Sequence, residues 1–558
     1  MKCNLFISLC STSFLIPSLS AQINKQPNII LLFADDLGWN DISSPITTLG
    51  NGSKNHQTPH IDKLATQGMA FTSAYTQQNS APTRAALLTG QYANRTHVYN
   101  VFGLDRFATD EKAGIRKEDA RIIPANQKKE SIEPGTLTYA RLLKDAGYQT
   151  YIFGKVHGFR LTNEDDCGFT YNFECSKRVK GDNKDDSNYF ALKTGDGNWI
   201  FDNPLYNHFA QPYTEKYVRR NLLPFANGNN PMMLVGTKKH FTDAIGDMVI
   251  DQIGKADKEK PFSMWVAFHA IHSAIVGRDD LNAKYKNRGD IDERHENFKY
   301  AALTEQLDQT VGRILAALED PNGDGDNSDS ISDNTVVIFM SDNGGVHGGN
   351  HSNAPLRHAK GTLYEGGIRV PMLVRYPKMV KPNSVTNEPV HVIDLLPTFL
   401  DLAGIKYSGH THVLDGESLF PLLTGKIKTL KRDRLFWHFP GYMDERGIPA
   451  SVINKRVGNA RYKYRYCYEY DTHELYNLTD DIGEKVNLLA GKPSRQDLKI
   501  GNRLLTDLNR WIRSTNPLPM YYVADGKKVE LPKLPLNNLH FTVNSHLSII
   551  PRQSVVYL

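Results

Sequence analysis

Four short apolar runs along the chain have the length and composition of buried parallel strands. They span residues 28–34, 149–153, 262–268 and 335–340. Amphipathic stretches lie between them, and the clearest carries apolar residues three and four apart, at Leu303, Leu307, Val311, Ile314, Leu315 and Leu318. Alternating strands and helices predict an α/β fold, with a large, mostly parallel sheet sandwiched by helices.

From about residue 425 the pattern changes. Residues 461–466 alternate tyrosine with basic residues, as antiparallel strands do, and a helix is expected over 495–513. This pattern predicts a smaller C-terminal α+β subdomain over 426–558, after a main domain over 22–425. The tail beyond Asn516 is rich in Pro and Asn, so we expect it to run over the surface.

The N-terminus has the pattern of a signal peptide. Lys2 supplies the positive charge, two apolar segments at 5–7 and 14–16 follow, and small residues end near Ala21. We expect residues 1–21 to be removed and the protein to be exported to the periplasm. A disordered N-terminus is the alternative, and lipid attachment at Cys10 is disfavoured by Leu9. No later stretch reaches the roughly 18 apolar residues of a membrane-spanning helix.

Composition and charge narrow the class of protein. The chain has 66 basic and 61 acidic side chains, a net charge of +5, with 40% hydrophobic residues. That balance is typical of a globular protein and argues against a general nucleic-acid binder. Cys167, Cys175 and Cys467 remain after export, too few for a disulfide scaffold. Cys167 and Cys175 could pair across a short loop.

Polar residues follow each of the four apolar runs. They are Asp35 and Asp36, then Lys155 and His157, then His269 and His272, and finally Asp342 and Asn343. One Asp after a strand usually marks a turn or a helix cap. Because ligands of parallel α/β sheets bind outside the carboxyl ends of the strands, four such endings predict one shared site.

The segment from Ser80 to Gly90 supports two interpretations. Ser80 lies near a helix start, Pro82 suits the first turn and Gly90 suits the end, so an ordinary capped helix explains the pattern. The functional interpretation is that the helix N-terminus attracts anions and that Arg84 adds a fixed positive charge.

Ser80-x-Pro82-x-Arg84 followed by Thr89-Gly90 resembles the signature of the type I sulfatases of the alkaline-phosphatase superfamily. In that family the first position, Cys or Ser, is oxidised to formylglycine, and its hydrate is the nucleophile. A serine resembles the subset matured by a radical enzyme in anaerobic bacteria. The resemblance therefore implies that a radical maturase converts Ser80 before export.

Further segments resemble the same family in the same order. Residues 27–38 and 341–345 resemble its two metal segments, and 355–371 resembles the segment with the active-site lysine, here Lys360. Gly154-Lys155-Val156-His157 resembles its Gly-Lys-x-His segment, with Val156 in place of the usual Trp. Later structural segments match at 394–398 and 474–478. The resemblance runs from about 27 to 490, implying an alkaline-phosphatase-like fold and a catalytic domain at 22–425.

The resemblance also implies roles for the site residues. Ca²⁺ is bound by Asp35, Asp36, Asp342 and Asn343 and touches the formylglycine at position 80. Hard oxygen ligands suit Ca²⁺ or Mg²⁺ better than a zinc pair, whereas the alternative is a set of loop-capping acids. Arg84, Lys155 and Lys360 neutralise the sulfate oxygens, and His157 contacts the hydrate.

The general acid is less directly matched. The family's Pro-His-x-Pro segment is Ala270-Ile271-His272-Ser273-Ala274 here, without either proline. His272 is the better positional match and is expected to protonate the leaving alcohol. His269 is the alternative, or a packed core histidine.

A sulfated carbohydrate is the expected substrate: a mucin glycan, a glycosaminoglycan or an algal polysaccharide. His347, His351 and Arg357 could touch sugar hydroxyls or could belong to a solvated loop, and residues 101–134 could form a pocket wall. The alternatives are a phosphodiesterase or phosphonate monoester hydrolase of the same superfamily, and a catalytically silent relative that binds sulfated glycans.

Residues 320–325 begin like an EF-hand, but Ile331 replaces the required Glu, which favours a polar surface loop.

Overall fold

The computed structural model describes residues 26–533, except 110–113, 162–165, 175–208, 210, 274, 289–291, 347, 349–350, 409–411 and 444–445. The expected signal peptide, Cys175, His347 and the end of the tail lie outside these residues. The cleavage near Ala21 and the pairing of Cys167 with Cys175 therefore stay predictions. Of the helices in the described ranges, none combines the length and the apolar character that crossing a membrane requires.

The described strands are β1 Asn28–Ala34, β2 Met69–Tyr75, β3 Ile122–Ile123, β4 Gln149–Gly154, β5 Tyr171–Glu174, β6 Phe262–Ala267, β7 Thr335–Ser341, β8 Arg369–Arg375, β9 Ser384–Thr386, β10 Val390–His391, β11 Arg434–Phe439, β12 Ala450–Val457, β13 Ala460–Cys467, β14 Thr472–Asn477 and β15 Tyr521–Tyr522. All four predicted strands form, with ends within one residue of those expected.

The described α-helices are α1 Pro59–Gln67, α2 Ser80–Thr89, α3 Ala93–Thr96, α4 Tyr139–Asp145, α5 Glu215–Asn221, α6 Phe241–Lys255, α7 Asp279–Lys286, α8 Phe298–Glu319, α9 Glu365–Ile368, α10 Leu395–Leu402, α11 Phe420–Leu423 and α12 Arg495–Thr515. Short 3₁₀ turns lie at Lys117–Asp119, Leu223–Phe225, Pro231–Leu234, Asn327–Asp329, Ser332–Asn334 and Val392–Asp394.

A large mixed sheet forms the centre of the main domain, in the order β10-β2-β8-β7-β1-β6-β4-β5, with β9 also paired to β2. The pairs are parallel except those of β8, which is antiparallel to both β2 and β7. The sheet thus has the predicted mixed, mostly parallel character.

Both faces of this sheet are covered, which explains its continuous apolar strands. In β1, Ile29, Leu31 and Phe33 enter one hydrophobic core, whereas Ile30 and Leu32 enter the other. Successive side chains of a strand point to opposite faces, so a strand buried on both faces is apolar at nearly every position. The predicted apolar stripe of α8 packs in the second core, and α2, α4 and α10 pack in the first.

The C-terminal region contains the antiparallel sheet β11-β12-β13-β14, against which α12 packs. Ser494 starts α12 with a capping box, because its hydroxyl accepts the Asp497 N–H. Trp437 of this sheet and Leu396 of the main domain belong to one hydrophobic core. The division at residue 425 therefore stays a prediction, since apolar packing runs across it.

The tail runs back to the main domain as far as the structure describes it. Tyr521 and Tyr522 pair with Ile123 and Ile122 of the 101–134 segment. The EF-hand-like segment is an exposed turn in which Asp320 accepts the N–H groups of Gly323 and Gly325. It is the polar surface loop that the sequence favoured.

Candidate functional site

The four strands with polar endings are neighbours in the sheet. Because β7, β1, β6 and β4 are adjacent and parallel, their carboxyl ends lie side by side. Backbone hydrogen bonds continue beyond the strands: the Asp35 N–H donates to the Ala270 carbonyl at 2.9 Å, and the Lys155 N–H to that of Ala267 at 2.8 Å. The sheet therefore fixes the backbone positions from which these side chains extend.

Four buried oxygen-bearing side chains converge at this edge: Asp35, Asp36, Asp342 and Asn343. The Asn343 amide donates to Asp36 Oδ1 at 2.8 Å, and the Asp36 N–H donates to Asp342 Oδ1 at 3.1 Å. Asp36 has a φ of 61°, a conformation that is uncommon for a residue other than glycine. Such backbone strain persists where the surroundings hold it, and functional sites are common among those places.

Cationic side chains balance these carboxylates. Arg84 Nη2 lies 2.8 Å from Asp342 Oδ2 and 3.5 Å from Asp35 Oδ2, and the guanidinium is fully buried. The Lys155 ammonium contacts Asp35. A buried carboxylate stays ionised only when a cation pairs with it, so Arg84 and Lys155 allow these aspartates to remain charged in the interior.

Lys360 is brought to the cluster by a distant loop. Its Nζ lies 2.9 Å from both carboxylate oxygens of Asp36. The Lys360 N–H donates to the Gly345 carbonyl at 3.0 Å, and the Gly361 N–H to that of Gln78 at 2.8 Å. These bonds attach the lysine loop to the loop after β7 and to the segment before α2.

Ser80 is the first residue of α2 and faces the acidic cluster. Its Oγ lies 3.2 Å from Asp35 Oδ1 and 3.5 Å from Asn343 Oδ1. Gly158 lets the loop after β4 approach this helix, because a Cβ there would lie 2.2 Å from the Ala81 carbonyl oxygen. The helix ends as predicted, with Gly90 in the left-handed conformation and its N–H bonded to the Ala86 carbonyl.

Electrostatics differ between the two strand-end aspartates. Burial opposes ionisation of Asp35, but Lys155, His272 and Arg84 more than offset it and hold its pKa well below the usual value. Burial and the nearby Asp35 charge raise the pKa of Asp342 to about 6, against the opposing effect of Arg84. A bound cation would favour the ionised form of Asp342, so the donor set fits a hard divalent metal ion.

Three histidines lie around the cluster. His272 Nε2 is 3.8 Å from Asp36 Oδ2, and its side chain is 37% exposed at the rim. His269 is buried and packs edge-on against Phe241, with ring centroids 4.8 Å apart. Desolvation, with the charges of Lys155 and Arg84, holds the pKa of His157 well below its usual value, so this ring is neutral at pH 7.

Two of the sugar-contact candidates, His351 and Arg357, lie in the described residues. His351 is only 6% exposed, and its Nε2 lies 2.7 Å from Asp41 Oδ1, so the expectation of a sugar contact or a solvated loop position is wrong for this residue. Arg357 donates to the Tyr476 hydroxyl at 2.8 Å and stacks over Tyr364, with its guanidinium carbon 4.2 Å from the ring centroid. It attaches the lysine segment to the C-terminal sheet.

Sequence reasoning missed the partners of His351. Asp41 and His295 are fully buried beside it. Asp41 lies in a stretch of mixed apolar and polar residues, and His295 lies in a segment rich in charged residues, so neither carried a local signal.

The chain matches known proteins over most of its length. The family model Sulfatase matches residues 27–405, and that of N-sulphoglucosamine sulphohydrolase, C-terminal, matches 357–512. A sulfatase of Formosa agariphila is 45% identical over 523 residues, covering 91% of this chain and 93% of the relative. Human N-acetylgalactosamine-6-sulfatase is 27% identical over 434 residues, covering 75% and 69%.

Solved structures share the fold. The crystal structure of Ps i-CgsB in complex with k-i-k-neocarrahexaose superposes with a TM-score of 0.61 at 26% identity, covering 87% of this chain and 93% of the other. The family model covers the strand ends, the start of α2 and the lysine segment described above. The chain therefore belongs to the sulfatase family and is a sulfuric ester hydrolase.

Proposed function

We propose that this sulfatase hydrolyses sulfate esters on sulfated glycan sugars, using a formylglycine made from Ser80 and a bound Ca²⁺. The observation that carries the proposal is the position of Ser80. Ser80 begins α2, and its Oγ lies within 3.5 Å of Asp35 and Asn343. The buried cations Arg84 and Lys155 contact the same Asp35. A nucleophile at this position would meet an anionic group among positive charges and helix N–H groups.

The metal would be held by Asp35, Asp36, Asp342 and Asn343, a set that offers oxygen donors only. Ca²⁺ prefers carboxylate and amide oxygens, whereas zinc prefers nitrogen and sulfur. When bound, it supplies electrostatic stabilisation to negatively charged oxygens near Ser80. The three aspartates are balanced by three cationic side chains, so a divalent ion would leave the site formally positive and suited to a sulfate group.

The chain's own residues divide the remaining work. Oxidation of Ser80 to formylglycine supplies a hydrate oxygen as the nucleophile toward sulfur. Lys155 and Lys360, which already contact Asp35 and Asp36, would neutralise the sulfate oxygens. The neutral ring of His157 is suited to accept a proton from the hydrate, and so to assist release of sulfate.

His272 would act as the general acid for the departing alcohol. Its position at the partly exposed rim, 3.8 Å from Asp36, supports this role, because a glycan leaving group must extend from the site into solvent. A protonated imidazole would give its proton to the ester oxygen as the sulfur–oxygen bond breaks.

The names of the relatives support the substrate class. N-acetylgalactosamine-6-sulfatase is named for a sulfated sugar, and Ps i-CgsB was crystallised with an oligosaccharide. We further propose that a radical maturase converts Ser80 before residues 1–21 direct the protein to the periplasm. A phosphodiesterase or phosphonate hydrolase and a silent glycan-binding relative are the alternatives that the experiment must exclude.

The test begins with mass spectrometry of the Ser80 peptide from the native host, which should show the loss of two hydrogens. The matured protein should then release sulfate from defined sulfated mono- and disaccharides, with the regiochemistry read by NMR. Ser80→Ala should abolish release, while the exposed control Ser328→Ala should leave it unchanged.

Three outcomes would contradict the proposal. Full activity of protein with unmodified Ser80 would show that formylglycine is not required. Faster hydrolysis of phosphodiesters than of sulfate esters would favour the phosphodiesterase. Matured protein that binds sulfated sugars without releasing sulfate would be the silent relative.

A further inference from the structure

A second group of buried polar side chains lies behind the first site. It consists of Asp41, His295 and His351, here called the Asp41 cluster. Two loops meet there, because the backbones of His295 and His351 form an isolated antiparallel bridge. One ligand atom from each residue lies within 4.8 Å of the others, and all three side chains are buried.

The outer nitrogen of each ring faces an acceptor. His295 Nδ1 lies 3.3 Å from Asp292 Oδ2, and His351 Nδ1 lies 3.0 Å from the Val346 carbonyl oxygen. A carbonyl or a carboxylate only accepts hydrogen bonds, so both rings carry their proton on Nδ1. Each Nε2 is thereby left with a lone pair when the ring is neutral.

Asp41 is held in the same manner. Its Oδ2 accepts hydrogen bonds from the Tyr300 hydroxyl at 2.7 Å and from the Gly38 N–H at 2.6 Å. Its other oxygen, Oδ1, faces the two rings, 2.7 Å from His351 Nε2 and 3.2 Å from His295 Nε2. One oxygen and two nitrogens thus point toward one another.

This arrangement lacks a donor when both rings are neutral. His295 Nε2 is fully buried and lies 3.2 Å from Asp41 Oδ1, yet a neutral ring with its proton on Nδ1 has no hydrogen to donate there. A buried acceptor with no donor costs free energy. Either at least one ring is doubly protonated and donates to Asp41, or a cation lies among the three atoms.

We propose that Asp41 Oδ1, His295 Nε2 and His351 Nε2 bind a divalent transition-metal ion of the zinc type. Two imidazole nitrogens and a carboxylate oxygen are a donor set for such ions, and differ from the oxygen-only set of the first site. Nδ1–H groups directed at a carboxylate and a backbone carbonyl are the usual supports of metal-binding histidines. Aromatic packing closes the site, since Tyr300 stacks on His351 with centroids 4.4 Å apart.

The ion would support the first site without touching substrate. The Tyr300 hydroxyl lies 2.7 Å from Asp41 Oδ2 and 3.2 Å from the Asp36 carbonyl oxygen. Asp36 is the strained residue that contacts Lys360. An ion on Asp41 would therefore fix the 36–41 loop, and with it the position of Asp36.

The test is metal analysis of the purified full chain by inductively coupled plasma mass spectrometry, followed by loading with Co²⁺. We expect about one transition-metal ion per chain, and a visible Co²⁺ absorption band after exchange. His295→Gln and His351→Gln should lose this ion and the band while retaining calcium. The matched control is His438→Gln, a buried histidine that bonds to Ser451 outside the cluster and should retain the ion.

Wild-type protein gives a second measurement that does not depend on folded variants. With Ca²⁺ kept in excess, a chelator selective for transition metals should lower its Tm, and readdition of Zn²⁺ should restore it with a dependence on free metal concentration. The proposal is overturned if the wild type binds neither Zn²⁺ nor Co²⁺ at micromolar free concentrations, or if both glutamine variants bind them as the wild type does. The cluster would then be a hydrogen-bonded network in which at least one protonated histidine donates to Asp41.

Discussion

Lys463 places a fully buried ammonium group between two carboxylates that join the lysine segment to the C-terminal sheet. Its Nζ lies 3.1 Å from Glu365 Oε1 and 2.9 Å from Glu484 Oε1, and all three side chains are fully buried. Removing one partner of a buried ion pair costs about 3–5 kcal/mol, because the remaining charge loses its compensation. We expect Lys463→Met to lower the free energy of unfolding by about 3 kcal/mol at pH 6.

The loss should grow at higher pH. Burial raises the pKa of Glu484 from 4.5 to about 7, so the native state keeps a proton that the unfolded state has released. Stability from this group is therefore lost as pH rises from about 4.5 to 7 in the wild type, and the loss then levels off. Without Lys463 the pKa rises further, so the variant should lose about 1.4 kcal/mol more for each pH unit above 7.

Urea unfolding followed by tryptophan fluorescence at pH 6, 7, 8 and 9 measures this difference. The exposed variant Lys428→Met is the control for a lost surface charge. In Lys463→Met/Glu484→Gln the additional loss above pH 7 should disappear, because the titrating carboxyl is gone. A difference between pH 6 and pH 9 of less than about 1 kcal/mol, or an unchanged pH dependence in the double variant, would refute the reasoning.

Three further predictions concern the site. His272→Gln should lower kcat/KM on sugar sulfates by about 10²–10⁴-fold. The loss should be much smaller on aryl sulfates of acidic phenols, because the phenolate leaves without needing a proton. An equal loss on both substrates would exclude the general-acid role. Ca²⁺ should raise Tm more at pH 7.5 than at pH 5. The pKa of Asp342 is raised from 3.8 to about 6 in the folded protein, so the metal-free protein loses stability as pH rises between these values. Equal Tm shifts at the two pH values would contradict this reasoning. Gly158→Ala should lower kcat/KM at least about 10-fold by moving Lys155 away from Ser80, because the new Cβ would lie 2.2 Å from the Ala81 carbonyl oxygen. The control is Gly147→Ala, which also has a positive φ but has open space for a Cβ. Equal activity of the two variants would contradict the prediction.

Local sequence was enough to predict the strands that carry the site. Residues 28–34 became β1 with the expected bounds, because a strand buried on both faces must be apolar almost throughout. The polar residues directly after β1 and β7, Asp35 and Asp342, could be assigned to one edge, since parallel strands end at the same edge of a sheet. The helix from Ser80 to Thr89 followed from its first turn and its terminal glycine.

The contacts within the site depended on tertiary structure. Lys360 reaches Asp36 across more than three hundred residues, and no local pattern encodes such a contact. His351 was misread for the same reason: a Gly/His-rich stretch has the composition of a surface loop, yet Asp41 holds its ring in the interior.

The sequence by itself determined the family resemblance, the strands and the residue types of the site, because periodicity and motif spacing are local properties. The order of the strands, the reversed direction of β8 and the Asp41 cluster were decided only by folding. Their free energies come from burial and from hydrogen bonds between residues far apart in sequence, which exist only once the chain is packed.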